Sequence, residues 1–243
     1  MDQKNNIIVA SIVFSIALVL SAIIIALTWK SNYTAMQTIS VTGSAQKEIV
    51  SDLGVLRGTL SVASPDKETA YRMLNDQMPV VINYLKTKGF PEDEIEFFTI
   101  NNYEQYEQND KGYRTDKVSA YIYSQRIEIQ SKDVYKIKEV SLDIPSLVEK
   151  GLNFNVEAPE YHFTNLDSLK IEMQALASKN AMLRAKNIAE ATDRDLGPMT
   201  DARMGVLQIT PVLSNEVSGY GINDLSSIDK KITAVVSASF MID

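Results

Sequence analysis

The chain has 243 residues, long enough for one large domain or two small ones whose core needs no covalent staple. It contains no cysteine and a single histidine, His162. A disulfide framework, a thiol nucleophile, a thiol peroxidase and a Cys-ligated zinc or iron–sulfur centre are thereby excluded, and a multi-histidine metal site is not expected. The balance of 24 Lys+Arg against 31 Asp+Glu gives a net charge of −7, with no basic stripe interleaved with aromatics, so nucleic acid is not expected as a partner and no cofactor is called for.

The first element is the apolar run from Ile7 to Trp29, IIVASIVFSIALVLSAIIIALTW, which carries no charge. At ~1.5 Å per residue it spans a hydrocarbon core of about 30 Å. A cleaved secretory signal has a shorter apolar region and a small-x-small cleavage site, and a buried core helix is the other alternative. The run favours a signal-anchor. Residues 1–6 would then lie in the cytoplasm, 7–29 cross the membrane, 30–37 form a tether with Trp29 at the interface, and 38–243 form one extracytoplasmic domain. Lys4, offset by Asp2, and Lys30 give only a small charge bias for orientation.

TISVTGSAQKEIV (38–50) and LGVLRGTLSVAS (53–64) read as strands joined by a tight turn into a hairpin, with Gly43 interrupting the first as a close-approach glycine would. Ser64–Pro65–Asp66 predicts a helix start with Ser64 as cap. Ala70, Met73, Leu74, Met78, Val81, Ile82 and Leu85 mark its buried face, and Pro79 is expected to kink or split it. Residues 95–108 and 118–130 form a second, tyrosine-rich hairpin about Asn109–Asp110–Lys111–Gly112, with Tyr121, Tyr123, Ile127 and Ile129 on one face.

A second helical segment over 132–150 follows, interrupted at Pro145 and capped by Gly151. A strand over 153–165 has Pro159 pushing it toward an edge or bulge. A helix from about Leu166 to Ala191 carries Ala177, Ala181, Ala185 and Ala189 at every fourth position, a low ridge suited to close packing on a sheet, flanked by Leu169, Met173, Leu176, Leu183 and Ile188. Strands over 202–213 and 230–242 close the chain. The class is α+β: antiparallel sheet covered by helices in the order ββαββ-αβαββ.

Several of these stretches resemble the SIMPL-domain family. ISVTGSA (39–45) looks like the family's Ile-x-Val-x-Gly-x-Gly/Ala opening, and SDLGVLRGTLSV is similar to the strand after it, where members usually have Pro-Asp in place of Ser51–Asp52. ALASKNAMLRAKNIAEATDRDLG resembles the family's Ala-spaced helix ending in Leu-Gly, here Leu196–Gly197. In GLNFNVEAPEYHF, Gly151, Asn153 and Phe163 match and Leu152 departs; the middle hairpin matches little. The resemblance covers about 38–243. It implies a bacterial envelope protein of a family linked loosely to stress defence, with one immunogenic member that forms a ring-like multimer, a eukaryotic branch similar to a kinase-associated adaptor, and no accepted catalytic residues to carry over.

Candidate chemistry is sparse. Glu160 and His162 point to one face if 160–162 is a strand, so that a carboxylate could orient the imidazole, with Asp167 and Glu157 nearby; no Ser or Cys elbow accompanies them, and an edge-strand histidine is the simpler reading. Glu92, Asp93, Glu94 and Glu96, and Asp224 with Asp229, lack the spacing of a calcium loop and read as solvated charge, so no metal is expected. Tyr103, Tyr106, Tyr113, Tyr121 and Tyr123 could build an interaction surface, some of them being core. The expectation is a non-enzymatic, membrane-anchored assembly or interaction domain, homo-oligomeric, with other envelope proteins as further partners. The alternative is an envelope hydrolase or stress enzyme using His162 with its carboxylates.

Overall fold

The computed structural model describes residues 2–34 and 37–243. In chain order the elements are α1 (Asp2–Thr34), β1 (Thr38–Val50), β2 (Leu53–Ser64), α2 (Lys67–Thr87), β3 (Ile95–Phe97), β4 (Asn101–Gln108), β5 (Arg114–Ser131), α3 (Val134–Asp143), β6 (Phe154–Val156), β7 (Glu160–His162), α4 (Leu166–Ala191), β8 (Leu196–Met204), β9 (Gln208–Pro211), β10 (Ile222–Asn223) and β11 (Asp229–Ile242). The class is mixed α+β. Two compact units are formed, one from residues 1–47, 168–207 and 233–243, the other from 48–167 and 208–232.

In the first unit α1 continues beyond the apolar run at both ends. Its stretch Ser11–Trp29 is long and apolar enough to cross a membrane, and the rest of the chain buries none of it. Residues 30–34 of the expected tether are helical, while 35 and 36 lie outside the described residues. β11 pairs antiparallel with β8, from Val236↔Met204 to Ile242↔Leu196 with two irregular steps. It also neighbours β1, where Ser40 and Ser239 hydroxyls meet at 2.8 Å.

The alanine ridge of α4 packs on β1. Ala177, Ala181, Ala185 and Ala189 are buried, and a Cβ added at Gly43 would lie 2.7 Å from the Ala181 Cα. Only hydrogen at Gly43 and methyl groups along the helix let the two backbones come this close. Ser44 N–H donates to Asn180 Oδ1 (3.1 Å), and the Lys47 ammonium meets Glu172 at 2.8 Å further along the same contact. Leu169 and Met173 are buried with the alanines, whereas Leu176, Leu183 and Ile188 face solvent.

In the second unit β2 and β5 are the paired centre, registered from Gly54↔Ser131 to Ser64↔Tyr121. β3 and β4 add to the far side of β5, and β6 and β7 to the far side of β2. Strand alternation sends Leu56, Leu60 and Val62 of β2 with Tyr123, Ile127 and Ile129 of β5 into one core with Leu74, Met78, Val81 and Leu85 of α2 and Val134, Ile137 and Val140 of α3. Each such side chain contributes about 1.5–3 kcal/mol on burial. The opposite sheet face carries Arg57, Arg126 and Glu128.

Several expectations change. β1 and β2 fall in different sheets and make no hairpin with each other. The α2 cap is Asp66, whose carboxylate accepts from Thr69 N–H at 2.7 Å, while Ser64 Oγ accepts from Asp66 N–H; Pro65 thus lies before the cap and not in the first turn, and the Asp66 carboxylate satisfies a first-turn donor. α2 runs unbroken through Pro79, because Pro79 and Asn75, whose carbonyl loses its partner, are on the exposed side. Pro159 separates β6 from β7, and Gly205 separates β8 from β9, its N–H turning to Val235 O at 2.9 Å. The 132–150 segment is α3 followed by a 3-10 turn over Ile144–Lys150, ended by Gly151 at φ 76°.

Candidate functional site

The residues with the most chemistry in the second unit gather on the sheet face away from its helices. Arg57 and Glu128 are directly registered across β2 and β5, with Arg57 Nε 2.6 Å from Glu128 Oε2. Gln130 Nε2 donates to the other Glu128 oxygen at 2.8 Å. β7 pairs with β2 so that Glu160 lies opposite Val55 and His162 opposite Leu53. Glu160 Oε1 meets Arg57 Nη1 at 2.8 Å, and its Oε2 lies 3.2 Å from His162 Nε2. One guanidinium thus bridges two carboxylates, and one of these also holds the imidazole. Beside this group Arg126 Nη2 donates to Glu157 at 3.0 Å.

The electrostatics follow from these bonds. Arg57 holds the Glu160 carboxyl below its ordinary value, with His162 adding to the effect. Burial pushes the Glu128 carboxyl up, but the hydrogen bonds from Gln130 and Arg57 outweigh it and the net displacement is downward. Glu128 then Glu160 push the guanidinium up. A carboxylate neutralised by arginine is a weak proton acceptor, so Glu160 can orient His162 but gives it limited basic support.

The sequence-derived candidates divide. β7 brings Glu160 and His162 together, while Asp167 enters the first turn of α4. The strand end at His162 is pinned: its carbonyl accepts from Asp52 N–H (2.9 Å), and Asp52 in turn holds Thr164 through the backbone N–H (2.7 Å) and hydroxyl (2.8 Å). The Thr164 hydroxyl is therefore committed to Asp52. Among the described residues no hydroxyl nucleophile bonds to the imidazole.

Of the five tyrosines, Tyr123 is buried and stacks edge-on with Tyr71 at 5.7 Å, and Tyr121 packs against the same core. Tyr103 and Tyr113 are 59 % and 69 % exposed. Tyr106 donates its hydroxyl to Glu104 at 2.5 Å, and the Arg114 guanidinium lies 3.6 Å from its ring centre. Glu92, Asp93 and Glu94 form a 3-10 turn in which Glu92 pairs with Lys86 at 2.6 Å. Asp224 Oδ1 accepts from the Ser226 N–H (2.8 Å) and hydroxyl (2.7 Å). Among the described residues no group of three or more His, Asp or Glu could hold a metal ion.

Two features escaped sequence reasoning. Arg57 sits in an apolar run, LGVLRGTLSV, and a lone charge there was the available signal for a partner across the strand. Lys230 is 2 % exposed, its Nζ donating to Tyr161 O at 2.5 Å, although Asp-Lys-Lys at a strand start reads as solvated charge. Burial pushes its ammonium down from the ordinary lysine value, with Asp224 opposing. An open cleft of about 430 Å³ lies between α3 and the β7 region, lined by Tyr135, Leu142, Pro159, Tyr161, Ser227 and Ile228 among others. Glu160, His162 and Asp167 do not line it.

The sequence profile of SIMPL, described as a protein of unknown function (DUF541), matches residues 39–240. The chain is 22% identical over 178 residues to the uncharacterized protein YggE of Escherichia coli K12, a match spanning 71% of this chain and 68% of that protein. The YggE proteins of Escherichia coli O157:H7 and Shigella flexneri match to the same extent.

Proposed function

The chain belongs to the SIMPL family of unknown function, and from that premise we propose that it is a membrane-anchored, extracytoplasmic assembly domain whose copies associate with one another in the bacterial envelope. The observation that carries this reading is the ribbon of β4 and β5. β4 is exposed along most of its length and pairs with β5 alone among the described strands, so its outer row of N–H and C=O groups is open to another strand. Tyr103 and Tyr113 stand out from this ribbon, rigid amphipathic groups of the kind enriched at interfaces. The bilayer-length stretch Ser11–Trp29 supports anchoring, which would confine copies to a plane and raise their effective concentration. A stress-related role is part of the proposal through the family resemblance alone.

The test is the mass of the detergent-solubilised full-length protein by light scattering, beside a variant lacking residues 105–120, with Glu104 and Tyr121 joined through Asn-Gly. These two residues are paired across the ribbon, so a two-residue turn closes it there. A multimeric parent and a folded, monomeric variant are expected. A monomeric parent overturns the assembly reading, and an unchanged mass in the variant overturns the ribbon as its contact.

A further inference from the structure

Resting on the assembly reading, we propose that the loop over 212–221 is the knob, and a groove between α4 and β8 the socket, of a contact between two copies of this chain. The loop presents Leu213, Val217 and Tyr220 at 93 %, 82 % and 100 % exposure. Three large apolar side chains so fully wetted within one short segment mark a recognition element. A floppy loop would hide them at little cost, but in this one the backbone is held by the side chain of Gln208. The Gln208 amide donates to Ser218 O (2.8 Å) and accepts from Ser218 N–H (3.3 Å), acting as a surrogate strand across the loop. Ser214 N–H bonds Pro211 O (3.0 Å), and β9 and β10 close the base through Gln208↔Ile222. The order of the knob is therefore established before any contact forms, which lowers the entropic cost of binding.

The socket is in the first unit. It has a volume of about 500 Å³ and is lined by Met182, Leu196, Pro198, Met199 and Phe240, with Lys179 at its side. Phe240 is buried and forms the floor, whereas Met182 and Met199 are about half exposed and form adaptable walls. Methionine-lined clefts mould to an aromatic ring and gain sulfur–aromatic contact, so Tyr220 is the natural anchor, with Leu213 and Val217 around it.

Charge selects the occupant. The loop has one ionisable group besides the Tyr220 phenol, Glu216, and no cation, so an anionic lipid surface repels it, while Lys179 beside the groove is of the complementary sign. Knob and socket are different patches of one chain, so the contact either repeats reciprocally about a two-fold axis or runs head-to-tail into a closed ring or an open row.

The experiment places a photo-crosslinking phenylalanine at Tyr220 in the full-length protein, solubilised in detergent and mixed with an isotope-labelled copy, and maps the cross-links by mass spectrometry. Cross-links joining position 220 of one copy to peptides holding Met182 or Met199 of the other are expected. Met199→Glu should remove them and weaken association about tenfold or more without lowering Tm. Cross-links confined to one copy, to detergent or lipid, or to a different face overturn the contact, as does persistence of the mapped cross-link in Met199→Glu. Multimers without the mapped cross-link leave the assembly reading standing and remove this contact; a monomeric parent removes both.

Discussion

Arg57 on β2 and Glu128 on β5 face each other at directly registered positions, and the 2.6 Å bond between them is the centre of a chain of charges that ends at His162. Glu128 and Glu160 both titrate below the ordinary glutamate value of 4.5. A carboxyl whose folded-state value is depressed gives stability that is present above the unfolded value and lost as pH falls through the folded one. Tm should therefore be flat from neutrality to about pH 5 and then fall. Glu128→Gln, by weakening the bond to Arg57, should cost about 1–3 kcal/mol at pH 7 and flatten the acid limb. Acid limbs of equal steepness in parent and variant would refute this assignment.

Gly43→Ala should lower stability by about 1–3 kcal/mol, the range for an overpacked core. The atoms in the way belong to the backbone of Ala177 and Ala181, which no rotamer change can move. Ala177→Gly should consequently fail to rescue it. Thermal unfolding of the single and double variants checks both statements, and rescue to the parental Tm would show that the side chain is the obstacle.

His162→Ala should leave the fold and Tm nearly unchanged, since its described ring contact is a partly exposed bond to a glutamate already held by Arg57. The same variant decides whether this group works as a hydrolase. Screened against generic ester, phosphate and peptide substrates, the parent should show no activity that His162→Ala abolishes. An activity lost in the variant with unchanged Tm would install the histidine as a catalytic group.

Lys230 should give a signature at the alkaline side. Its folded-state value is depressed by burial, so between that value and the ordinary 10.5 the unfolded chain holds the extra proton and stability rises with pH. The parent should gain stability relative to Lys230→Met as pH rises from 7 toward 10.5. Denaturant midpoints that keep a constant gap across that range would contradict the assignment.

Legibility in the sequence followed the period of the burial signal. α4 and the inner face of α2 were readable, because their apolar positions recur at helical spacing and the contact is local to the helix. The partner of the alanine ridge was half readable: Gly43 marked a close approach, yet nothing in the sequence joined it to a helix more than 130 residues away. The supposed β1–β2 hairpin misled because adjacency and a short turn favour pairing, while long-range partners decided it instead. At the charged sheet face the pair Glu160–His162 came from strand alternation, but Arg57 and Glu128 are 71 positions apart and only the β2–β5 register unites them. Lys230 was invisible because its burial depends on Tyr161, on another strand.

The packing of α4 on β1 divides the helix into two regimes of mutational tolerance. On the inner row a side chain is judged by size alone: serine or glycine should survive at Ala177 and Ala181, and valine, though apolar, should be purged. On the outer row, where Ile171, Leu176, Met182, Leu183 and Ile188 are in water, folding makes little demand. Selection acting there would have to come from whatever the helix touches, so a deep mutational scan read for growth and for folding separately would trace the outline of a partner along a single helix.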